Sequence, residues 1–135
     1  MLRPAAFALV AIMTAAVALP VAAQDHSRTE RVQFARGASS ATLQGSLHGY
    51  DTVDYVLGAR AGQTLSVRLQ PTNASAYFNV TKQGADEALF IGSTSGNQFS
   101  GQLPGNGDYV VRVYLMRNAA RRDEHANYTL TIGVR

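Results

Sequence analysis

From Arg31 onward, apolar residues recur at every second position in short runs separated by glycine and polar turns. Val32 and Phe34 alternate with polar neighbours. Residues 42–47 and 53–57 follow, and the second run ends in the glycine-rich turn 58–62. Leu65, Val67 and Leu69 alternate with Ser66, Arg68 and Gln70, the period of two that marks a half-buried strand. Residues 77–81, 88–91 and 99–103 predict further short strands. The strongest run is 109–116, with Tyr109, Val111, Val113 and Leu115 on one face and Val110, Arg112, Tyr114 and Met116 on the other. The last strand carries Tyr128, Leu130, Ile132 and Val134 on one face.

About nine short strands at even spacing predict an all-β fold, an antiparallel β-sandwich of eight or nine strands. One stretch departs from the pattern. Residues 117–126 lack β-branched residues and turn glycines but hold Ala and Arg, which favour helix. They predict a long loop or helical turn before the last strand. Polar residues 24–29 are expected to fray.

The start of the chain has another character. Arg3 precedes an uncharged apolar run over 5–19, Pro20 breaks it, and Val21 to Ala23 offer small residues for signal peptidase. The run is shorter than the roughly 20 apolar residues of a spanning helix. The expected organisation is a signal peptide over 1–23, cleaved after Ala23, and a single domain over 24–135. That domain has no cysteine, so neither disulfides nor a lipidated N-terminal cysteine are available. Once the signal is removed, no membrane association is expected. The net charge of +3 is mild, and no basic face is dense enough to argue for nucleic acid.

Catalytic chemistry is sparse. His26, His48 and His125 are far apart in sequence and share no ligand spacing, so they are read as solvated loop histidines and no metal or cofactor is expected. No G-x-S-x-G motif is present. Asp51 and Asp54 are the one carboxylate pair to weigh for hydrolysis, and solvation explains them as well. The chain is not expected to be an enzyme.

Two segments stand out from the scaffold. Gly49, Tyr50 and Asp51 place a large aromatic beside an acid in a turn, where Tyr50 either caps the sandwich or projects outward. Arg117, Asn118, Ala119, Ala120, Arg121 and Arg122 form a basic loop. Tyrosine and arginine are the residue types enriched at binding hot spots.

With these segments the chain resembles the periplasmic inhibitors of goose-type (g-type) lysozyme. The resemblance runs through 32–41, through Gly45 to Asp51, and through Tyr55, Ala59, Gly62 and Gln63. It continues through Leu103, Pro104, Gly107, Tyr109, Arg112 and Val113, and then through 117–122 and Tyr128. Residues 70–100 depart from that pattern. The resemblance implies a periplasmic β-sandwich that inserts two regions into the cleft of a g-type lysozyme, its protein partner. The first region would be Gly49, Tyr50 and Asp51, and the second Arg117, Asn118 and Arg121. The alternative is an exported β-sandwich binding module for cell-wall carbohydrate or an envelope protein.

Overall fold

The computed structural model describes residues 27–135. The signal peptide expected over 1–23 and His26 lie outside the described residues. In chain order the elements are β1 (Ser27–Arg31), β2 (Ser40–His48), β3 (Thr52–Ala59), β4 (Thr64–Pro71), β5 (Ala76–Lys82), β6 (Phe90–Ile91), α1 (Gly92–Ser95), β7 (Gln98–Gln102), β8 (Gly107–Leu115), α2 (Arg117–Arg121) and β9 (His125–Val134). Two sheets pack face to face. One has the order β1-β3-β8-β5-β6 and the other β2-β9-β4-β7. The expected β-sandwich of about nine strands is the observed architecture.

The alternating residues make the core. Tyr109, Val111, Val113 and Leu115 of β8 face inward with Val53, Tyr55 and Leu57 of β3 and Phe78 and Val80 of β5. They meet Leu65, Val67 and Leu69 of β4 and Tyr128, Leu130 and Ile132 of β9. Removing so much apolar surface from water is the main force holding the sheets together.

A polar contact crosses this core. The hydroxyls of Tyr55 and Tyr128, one from each sheet, are hydrogen-bonded at 2.7 Å with their rings edge to face. Burial and this bond push the Tyr128 phenol far above its ordinary value of 10.0. Gly45 lies opposite Tyr128 on β2, and a Cβ there would collide with the Tyr128 ring and hydroxyl. The glycine makes room for the tyrosine pair.

The start of the domain corrects two expectations. Residues 27–31 do not fray but form β1, which pairs in parallel with β3 from Ser27↔Thr52 to Arg31↔Val56. Its side chains are mostly exposed, so main-chain pairing to a sheet edge holds it, and hydrophobic alternation cannot report that. Val32 and Phe34 are not a strand. They follow β1, with Val32 buried and donating its N–H to the Val56 carbonyl at 2.9 Å, and Phe34 packs on the core. The strand expected over 88–91 shortens to β6, and its chain continues into the single turn α1.

Candidate functional site

The β2–β9 pairing brings the two unusual segments to one end of the sandwich. Its last pair is His48↔His125. On one side the chain turns through Gly49 to Asp51 into β3; on the other it arrives from α2. Gly49 is buried with φ +59, and its N–H donates to the Glu124 carbonyl at 2.9 Å. That left-handed conformation suits glycine. Asp51 closes the turn. Its N–H donates to the His48 carbonyl at 3.1 Å, and its Oδ2 accepts the His48 N–H at 3.2 Å. The turn directs Tyr50 outward, 45% exposed, so Tyr50 does not cap the core.

The helical turn α2 is built on two alanines. Ala119 and Ala120 are fully buried against the end of the sandwich, while Arg117, Asn118, Arg121 and Arg122 face solvent. Asn118 Oδ1 accepts the Ala119 N–H at 2.9 Å. Asp123 follows in the left-handed region at φ 53, where a short polar side chain is tolerated. The three arginines are not equivalent. Arg122 is tied to Glu124, with Nε and Nη2 each 2.7 Å from Oε2. Glu124 also accepts from Asn73 Nδ2 at 3.0 Å. These two bonds, Asn73's first, lower the Glu124 pKa. Among the described residues Arg117 and Arg121 form no ion pair. Spaced four apart on one helical turn, they share a face.

Tyr50, Asp51 and Arg117 line one open cavity of about 330 Å³ with Thr52, Asn79, Arg112, Tyr114 and Leu115. The two segments therefore meet at a common hollow through Tyr50, Asp51 and Arg117, whereas Gly49, Asn118 and Arg121 do not line it. Sequence reasoning missed Asn79, Arg112 and Tyr114 as part of this end. The signal was the outward face of β8, which carries Arg112 and Tyr114, but its neighbours depend on the strand order β3-β8-β5. Tyr114 donates its hydroxyl to Asn79 Oδ1 at 2.9 Å. Arg112 grips Asp54 with two bonds, Nε to Oδ1 at 2.7 Å and Nη2 to Oδ2 at 2.9 Å. The bonded carboxylate raises the Arg112 pKa further. Asp54 is thus bound to a permanent cation and Asp51 to its own turn, an arrangement that does not fit the acid and base of a glycosidase.

The histidine expectation also needs correction. His48 and His125 are not apart on loops but stack at the ends of paired strands, ring centroids 4.2 Å apart and 7° from parallel. Among the described residues no group of three or more His, Cys, Asp or Glu is placed to hold a metal.

The chain is 33% identical over 109 residues to the inhibitor of g-type lysozyme of Escherichia coli K12, an alignment covering 77% of this chain and 79% of that protein. The chain belongs to the family of periplasmic inhibitors of g-type lysozyme. Among solved structures, the family member PliG of Aeromonas hydrophila is 42% identical and superposes with a TM-score of 0.75, covering 83% of this chain and all of that one. Salmonella Typhimurium PliG is 27% identical with a TM-score of 0.62, over 80% and 98% of the two chains. The pre-peptidase C-terminal domain of a Bacillus anthracis collagenase, 16% identical with a TM-score of 0.53, shares the fold alone. No protein-family model matches the chain.

Proposed function

We propose that this family member is a periplasmic proteinaceous inhibitor of g-type lysozyme that acts by occluding the enzyme's cleft. Its family supports the partner and the compartment. The observation that supports the mode is the common hollow at one end of the sandwich, with exposed Tyr50 on one side and Arg117 on the other. A lysozyme cleft holds catalytic carboxylates and flat sugar subsites. Arginine offers a planar fork of donors to a carboxylate. Tyrosine offers large contact area at little entropic cost. Gly49 and Asp51 hold the turn that aims Tyr50, and Asn118 steadies the start of the helical turn that aims Arg117 and Arg121. Occlusion requires no catalytic group. Residues 1–23 serve as the export signal, removed after Ala23.

The test is inhibition by the purified protein and by its Tyr50→Ala, Arg117→Ala and Arg121→Ala variants. The wild type is expected to suppress lysis of a cell-wall suspension by a g-type lysozyme. All three variants matching it would contradict the assigned mode.

A further inference from the structure

The outer face of the second sheet carries a feature that the lysozyme site does not use. Pairing aligns Ser40, Gly133, Ser66 and Ser100 in one row across all four strands. No side chain in this row exceeds serine, so it forms a trough perpendicular to the strands. Three strand spacings give it a length of about 14 Å. The adjacent row is Thr42, Thr131, Arg68 and Gln98. Arg68 forms one wall of the trough. Arg135 also lines it, its main chain clamped to Thr64 by bonds of 2.9 and 3.0 Å. The cavity measures about 420 Å³. Neither arginine has an ion pair among the described residues.

We propose that this trough binds a carboxylate-bearing glycan, a peptidoglycan strand freed of its stem peptides, so that its muramic acid carboxylates are exposed. The floor offers hydroxyls and the flank adds the Gln98 amide, the donors and acceptors that sugar hydroxyls require. Two unpaired guanidinium groups match a carboxylate. Val67 and Phe99, whose ring packs against Phe90, also line the cavity, so some apolar surface adjoins the hydroxyls and charges. The choice of wall glycan over other acidic sugars rests on the periplasmic compartment proposed above. The trough itself is separate from the lysozyme site.

The experiment is an NMR titration of the isotope-labelled protein, purified from the periplasm of an expression host. The ligand is a set of peptide-free oligomers of N-acetylglucosamine and N-acetylmuramic acid. Chitooligosaccharides, which lack the carboxylate, and oligogalacturonates, which carry one on another sugar, are run beside them. Amide shifts are expected at Ser40, Ser66, Arg68, Ser100, Thr131 and Gly133 with the muramyl oligomers. Arg68→Gln should weaken binding about tenfold or more. Gly133→Val should block the trough: a Cβ there meets only ordinary contacts, Ser39 O at 3.7 Å and the Ser40 Cβ at 3.8 Å, so the strand accepts it. Both variants are expected to inhibit g-type lysozyme as the wild type does, which separates this proposal from the inhibitor reading. Absence of shifts, shifts only around residues 49–51 and 117–121, or undiminished binding in both variants would overturn it. Equal binding of chitooligosaccharides would overturn the role of the carboxylate, and equal binding of oligogalacturonates the choice of wall glycan.

Discussion

Replacing Arg117 by alanine separates binding from folding. Its side chain is exposed and forms no ion pair among the described residues, so stability should change by no more than about 0.5 kcal/mol. In the complex, a guanidinium desolvated against a carboxylate is worth about 2–5 kcal/mol on truncation. At about 1.4 kcal/mol per decade this is a loss of some thirtyfold to several thousandfold in affinity. Arg121, on the same helical face, should behave alike. Arg122 provides the internal control, because its guanidinium is engaged by Glu124 within the chain. Arg122→Ala should lose little stability, as exposed pairs do, and little affinity. Calorimetric titration with a g-type lysozyme measures the binding, and urea denaturation the stability. A larger loss of binding in Arg122→Ala than in Arg117→Ala and Arg121→Ala would remove Arg117 and Arg121 from the interface.

Tyr128→Phe leaves the Tyr55 hydroxyl buried without its partner and should cost about 1–3 kcal/mol, part of which returns in the Tyr55→Phe, Tyr128→Phe double variant; denaturant midpoints that place the double variant below both singles would contradict this. Gly49→Ala forces a left-handed alanine and should cost about 1–2 kcal/mol, checked by thermal unfolding, with wild-type stability as the contrary result. Bonds from Asn73 and Arg122 lower the Glu124 pKa in the folded state, so its contribution is present above the unfolded value, 4.5, and is lost as pH falls through the folded one. Glu124→Gln should therefore flatten the acid limb of a Tm–pH profile, and an unchanged limb would count against the Asn73–Glu124–Arg122 link.

The core was legible because burial imposes its own period. Leu65, Val67 and Leu69, and Tyr109 through Leu115, announce their inward face by alternation alone. The helical turn was legible in part from the helix-favouring Ala and Arg of residues 117–122, whereas the burial of Ala119 and Ala120 emerged only from the packing. Local pattern could not reveal what pairing decides. Strand β1 is held by main-chain bonds to an edge, with little side-chain burial to mark it. His48 and His125 stack because β2 and β9 end in register, a relation between residues far apart in the chain. The hollow beside Tyr50 needed Arg112 and Tyr114 from β8 and Asn79 from β5, three outward residues that become neighbours only through the sheet order. Gly45 read as part of a motif, and its reason, the ring of Tyr128, lies on the opposing strand.

Inhibition itself is measured by titrating the purified protein into g-type and chicken-type lysozymes while following lysis of a bacterial cell-wall suspension. The g-type activity should disappear near one equivalent while the chicken-type enzyme keeps its rate. Undiminished g-type lysis at a large excess of the protein would contradict the proposed inhibition.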